Sequence, residues 1–99
     1  MKNMEKKEKE NIYEIDLSGI FSVEELQDLL REKLPLPAYY GGTLDALYDV
    51  LTDEGMNWSI NISGTDDAEA ILGKYMRNFK KMCRRVNEES GIERIRFDD

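Results

Sequence analysis

Between residues 68 and 86, apolar side chains recur at Ala68, Ile71, Leu72, Tyr75, Phe79, Met82, Cys83 and Val86. Their spacing keeps them on one side of an α-helix. The segments flanking this stripe follow a different period. "NWSINIS" places Trp58, Ile60 and Ile62 on one face, and "GIERIRF" supplies Ile92, Ile95 and Phe97 in a third, weaker alternation. Alternation marks strands. Two strands joined by a helical crossover favour parallel pairing with a right-handed connection. Most of the possible topologies disappear at this step.

The N-terminal half adds the remaining elements. Tyr13, Ile15 and Leu17 alternate with Glu14 and Asp16, which predicts a first strand ended by Ser18-Gly19. In "FSVEELQDLLREKL", Ser22 and Glu25 form a capping box, and Phe21 and Leu26 have the spacing of a hydrophobic staple. Val23, Leu26, Leu29, Leu30 and Leu34 keep helical spacing, and Pro35 stops the helix at Leu34. Thr43 can cap a further helix from Leu44 to Thr52 or Asp53, with Gly55 marking the turn after it. Asp66 and Glu69 read as a second capping box at the start of the long stripe, and Gly91 as its C-terminal cap. The order is β-α-α-β-α-β. The expected fold is α/β, a small three-stranded parallel sheet packed with helices.

A chain of 99 residues, 40% of them apolar, suits one domain with a modest core. Residues 1–10 carry four Lys and three Glu with no apolar run after them. They are expected to be a solvated tail rather than a secretory signal, ahead of a single domain over residues 11–99. No apolar run is long enough to span a membrane. A single cysteine, Cys83, excludes an internal disulfide and points to a reducing, cytoplasmic compartment. Its place on the stripe makes it a core thiol. The absence of histidine removes the commonest general base and metal ligand. No cofactor or metal site is expected.

The net charge of −7 is unevenly spread. Residues 1–10 carry +1, residues 11–55 carry −8 and residues 56–99 are balanced. An acidic surface repels nucleic acid and steers a basic partner. The cluster "KKMCRR", Lys80 to Arg85, is interrupted by apolar residues and reads as a solvated helix face.

Within the acidic block lies "LPAYYGGTLDALYDVL", residues 36–51. At about 100° per residue, Asp45 and Asp49 fall about 40° apart on the wet side of the helix, opposite Leu47, Val50 and Leu51. Tyr48 lies on the border. Like charges four residues apart disfavour a helix by about 0.2–0.5 kcal/mol, and few bases lie nearby in sequence to offset them. Of the two tyrosines before the helix, one can anchor the loop and the other can remain exposed as a contact surface. Gly41 and Gly42 allow close backbone approach. Aromatics, glycines and acids within about a dozen residues make a protein-binding patch.

Leu36, Pro37, Tyr39, Tyr40, Gly41, Leu44, Asp45, Ala46, Leu47, Tyr48 and Asp49 closely resemble the defining segment of the barstar-like family of intracellular ribonuclease inhibitors. The element order along residues 11–97 agrees. The resemblance implies a helix and loop that plug the active-site cleft of a basic ribonuclease or nuclease toxin. Asp49 would sit where the substrate phosphate binds, and Asp45 would meet other cations at the rim or floor. Tyr39 would pack on a catalytic residue, Tyr48 would replace the family's usual tryptophan, and Gly41 would admit the partner's backbone. The implied partner is thus a protein, with no direct nucleic acid or membrane binding, and the free chain is a monomer. The chain departs from the family at Thr43, in place of asparagine, and at Glu54, in place of an aromatic. On the last long helix, Arg84 or Arg85 falls near the family's interface glutamate, with Glu88 and Glu89 further on. Two other readings remain open on the residues: an interaction module for some other basic protein, and an enzyme using Asp45 and Asp49 as an acid–base or Mg²⁺ pair. The second is short of ligands.

Overall fold

The computed structural model describes residues 11–98. The tail expected at residues 1–10 lies outside them. The elements run β1 (Ile12–Asp16), α1 (Val23–Lys33), α2 (Leu44–Leu51), β2 (Ser59–Ser63), α3 (Thr65–Leu72), α4 (Lys74–Ser90) and β3 (Ile95–Phe97). The sheet is parallel throughout in the order β1-β2-β3. The α/β fold and the element order match the sequence reading, with the second crossover divided in two.

Register explains how one face of the sheet becomes the core. Ile15 pairs with Ile62, and Ile60 with both Tyr13 and Ile95. These side chains share a face with Phe97, and Ile15, Ile60, Ile62 and Ile95 are buried. Leu26, Leu30, Leu47, Leu51, Phe79, Cys83 and Val86 from the helices join the same cluster. The other face carries Glu14, Asn61 and Arg96, where Asn61 donates to Glu14 at 3.0 Å and Arg96 donates to Asn61 at 3.3 Å. Parallel sheets are usually covered on both faces. Here that face is polar apart from the exposed Ile12 and offers little for a second helical layer to bury.

Ser22 caps α1, its Oγ accepting from Glu25 N at 3.1 Å, and Glu25 reaches back to accept from Phe21 N at 2.8 Å. The staple does not close: Leu26 is buried, but Phe21 remains 70% exposed. Leu34 is extended ahead of Pro35, as proline requires.

The long apolar stripe is not one helix. Gly73, at φ 58 and ψ −121, separates α3 from α4 in a conformation closed to other residues. The apolar period continues across the break, but Ile71 is left half-exposed beside it. Asp66 is not a cap. The chain leaves β2 through Gly64 at φ 72 and enters α3 at once, so Asp66 falls in the first turn. There its charge faces the positive end of the helix dipole. A Cβ on Gly64 would lie 2.5 Å from Ser18 N, so the close approach of the segments that leave β2 and β1 requires glycine. Gly91 caps α4 with φ 79, as expected. Ile92 lies before β3 and is exposed, since the strand begins at Ile95.

Candidate functional site

The loop before α2 divides its tyrosines. Tyr40 is buried, and its hydroxyl donates to Gln27 Oε1 at 2.6 Å while Gln27 Nε2 donates to Tyr75 at 2.9 Å. Arg31 lies 5.3 Å above the Tyr40 ring. Burial pushes the Tyr40 phenol up to about 12, so it stays a donor at every relevant pH. Tyr39 is 76% exposed. Its hydroxyl donates to Glu54 Oε2 at 2.7 Å, and that acceptor raises the phenol above its usual value. One ring anchors the loop and the other is held in solvent.

Thr43 caps α2, its Oγ1 accepting from Ala46 N at 3.1 Å. Leu47, Val50 and Leu51 are buried, at about 1.5–3 kcal/mol for each such side chain. Their burial fixes the helix's rotation and turns Asp45 and Asp49 into solvent. Among the described residues, neither carboxylate forms an ion pair.

Two depressions flank this helix. One, of about 200 Å³, is lined by Tyr39, Gly41, Asp49, Asp53 and Glu54 together with Tyr40, Ala46 and Val50. It contains three carboxylates and no base. The second, of about 370 Å³, lies between α2 and α4 and is lined by Asp45, Tyr48, Lys81 and Arg85 with Leu44, Asn78 and Met82. The five residues singled out in the sequence therefore fall on both flanks: Tyr39, Gly41 and Asp49 on one, Asp45 and Tyr48 on the other. Asp53, Glu54, Lys81, Arg85 and Glu89 were not included in that set. The first two follow the motif directly in an acidic run, a signal that could have found them. The other three come from α4 and meet the motif only through folding.

Tyr48 is half-buried. Its hydroxyl donates a short hydrogen bond to Glu89, and Arg85 lies over its ring at 4.6 Å. Arg85 Nε donates to the other Glu89 oxygen at 3.2 Å. The phenol, followed by Arg85, holds the Glu89 carboxyl below its ordinary value. Asp45 adds a weaker attraction for the Arg85 guanidinium. Of the rest of the "KKMCRR" cluster, Lys80 pairs with Glu69 at 3.0 Å and Cys83 is buried, its thiol pushed up to about 12. Among the described residues, no group of three acidic or sulfur ligands could hold a metal ion, and no helix is long and apolar enough to cross a membrane.

The two glycines differ. Gly42 sits at φ 77, and a Cβ there would lie 2.8 Å from Arg31 Nη2. Gly41 has no positive φ, and a Cβ would meet Ala46 Cβ at an ordinary 3.8 Å. The chain's own structure thus demands glycine at 42 but not at 41. Gly42→Ala is expected to lower stability by about 1 kcal/mol or more. Gly41→Ala should melt within about 0.5 kcal/mol of wild type. Thermal denaturation of the pair checks both, and a large loss in Gly41→Ala would contradict this geometry.

A family model described as Barstar (barnase inhibitor) matches residues 10–98. A Bacillus subtilis (strain 168) protein named "Putative ribonuclease inhibitor YrdF" is 32% identical over 76 residues, covering 76% of this chain and 84% of that protein. The family-model match spans all the described residues, including the exposed acids of α2 and the tyrosine loop before it. The chain belongs to the Barstar family.

Proposed function

We propose that this chain inhibits a basic ribonuclease or nuclease toxin by filling its active site, with α2 and the Tyr39 loop standing in for RNA phosphate. The observation that carries this reading is the exposed pair Asp45 and Asp49 on a packed helix, with Asp49 lining a cleft that holds two more carboxylates and no base. An enzyme that cleaves RNA must gather cations around a polyanion. A preplaced carboxylate makes charge-assisted hydrogen bonds to such cations. No catalysis is required of the inhibitor, only occupancy. The acidic N-terminal half speeds encounter electrostatically, and added salt slows it. The chain acts in this reading as a cytoplasmic immunity protein, monomeric when free. Family membership and the named relative support a ribonuclease as partner over another basic protein.

The test titrates the full chain against barnase and against each secreted ribonuclease of its source organism, reading cleavage of a fluorogenic RNA. Stoichiometric loss of activity for at least one enzyme is expected. Undiminished activity of all of them at micromolar inhibitor would overturn the proposal. In the same assay Tyr39→Ala should weaken inhibition by about 1 kcal/mol or more, as loss of an interface aromatic does. Its melting temperature should barely move, because the ring lies in solvent. Inhibition equal to wild type would remove Tyr39 from the contact surface.

A further inference from the structure

The two flanks of α2 carry different charge. The Tyr39 flank has Asp49, Asp53 and Glu54 and no base. The α4 flank sets Lys81 and Arg85 across from Asp45. A uniformly cationic partner would gain no net attraction along α4, where Lys81 and Arg85 offset Asp45 and Glu89. We infer that the docking face is bipolar, and that the ribonuclease this chain inhibits presents a carboxylate to Lys81 and Arg85 while its cationic site receives the α2 acids. This deepens the inhibitor reading and rests on it.

Arg85 is built for such a contact. Its side chain is 66% exposed, yet it is held at two points. The guanidinium lies over the Tyr48 ring at 4.6 Å, and Nε is tied to Glu89 at 3.2 Å. That bond uses Nε and leaves the two terminal nitrogens to other acceptors. An ordered guanidinium loses less rotamer entropy on binding than a mobile one. It can also offer two donors to one carboxylate. Lys81, one turn earlier on α4, is exposed and adds a second charge to the same groove. Local neutralisation of Asp45 does not require both bases, and Arg85 is bonded to Glu89 rather than to Asp45. The arrangement therefore selects among basic ribonucleases. It favours one with an acid at the rim facing α4 and disfavours one whose rim there is basic.

The sign of a charge change tests this. Lys81→Gln and Arg85→Gln both make the inhibitor more acidic. If the bases only screen Asp45, removing them should tighten binding to a basic enzyme and raise its association rate. If they meet a carboxylate, binding should weaken through faster dissociation. Association and dissociation rates are measured on the immobilised ribonuclease that wild type inhibits most strongly in the panel above. Arg85→Gln is expected to raise Kd about tenfold or more, and Lys81→Gln several-fold, mostly in the off-rate. Lys81→Gln makes no change to the Tyr48–Glu89 contact, so it separates charge from local packing. Tighter or unchanged binding of both variants overturns the inference and leaves the inhibitor reading standing. A panel in which wild type inhibits nothing overturns both.

Discussion

An Asp49→Ala variant is expected to lose tight inhibition while melting at or slightly above the wild-type temperature. The two effects have separate causes. In the complex Asp49 would sit among the cations that bind RNA phosphate, largely out of water. Removing one partner of a desolvated charge pair typically costs about 2–5 kcal/mol, roughly 30- to 5,000-fold in Kd. Much of that is the cost of leaving the enzyme's cations buried without a counterion. In the free chain Asp49 is exposed and without an ion pair among the described residues, so it has little to lose. Asp45 lies one turn before it, and removing the like charge relieves about 0.2–0.5 kcal/mol of repulsion. Alanine also favours the helix over aspartate by up to about 0.7 kcal/mol. Inhibition titrations and calorimetry on one preparation check both halves. Wild-type affinity in the variant would remove Asp49 from the phosphate position, and a cooperative loss of stability would give it a structural role instead.

The second large effect is in the scaffold. Arg94 is 5% exposed. Its Nη2 donates to Leu51 O at 2.9 Å, its Nη1 to Gly55 O at 2.8 Å and Trp58 O at 3.3 Å, and its Nε to Ser90 Oγ at 2.9 Å. Leu51 ends α2, so the guanidinium also lies at the negative end of that helix's dipole. One side chain thus ties α2, the turn after it and the end of α4 to the start of β3. Hydrogen bonds to charged groups contribute about 1.5–3 kcal/mol each, though not additively. Arg94→Ala is expected to lower stability by about 3 kcal/mol or more, a fall in Tm of roughly 12–24 °C for a domain of this size. Arg94→Lys should recover only part of it, because one ammonium cannot reach carbonyls arranged for a planar fork. Thermal melts of the three proteins decide this. A shift under about 1 kcal/mol in Arg94→Ala would show that the carbonyls find water instead.

Signals contained within a few residues were legible in the sequence. The caps at Ser22 and Thr43, the stop at Pro35 and the alternation of all three strands depend on neighbours close in the chain. The same holds for the split between the buried and wet sides of α2, which follows from helical period alone. Tyr39 and Tyr40 could be divided into one anchor and one exposed ring, though which was which depends on Gln27 and Glu54. Gly73 was hidden because the apolar period runs through it, and a glycine inside a helical pattern does not by itself break it. Asp66 misled because capping pairs are recognised by spacing, whereas the turn from β2 is set by contact between Gly64 and Ser18.

Arg94 and the Tyr48–Arg85–Glu89 cluster were illegible for a further reason. A charged residue beside a short strand reads as surface. The carbonyls that make burial tolerable for Arg94 come from residues 36 to 43 positions away. Glu89 lies 41 residues from Tyr48. No local pattern encodes such separations, and the basic rim of α4 emerged only when α2 was packed against it.

In the proposed complex, α2 takes the place of RNA phosphate in a cationic site of the ribonuclease. The decisive measurement is the association rate of this chain with a ribonuclease that it inhibits, in the presence of a nucleoside 3′-monophosphate bound at the enzyme's active site. The rate is expected to fall in proportion to the fraction of enzyme occupied by the nucleotide. An association rate that stays constant as the nucleotide saturates the enzyme would contradict that placement of α2.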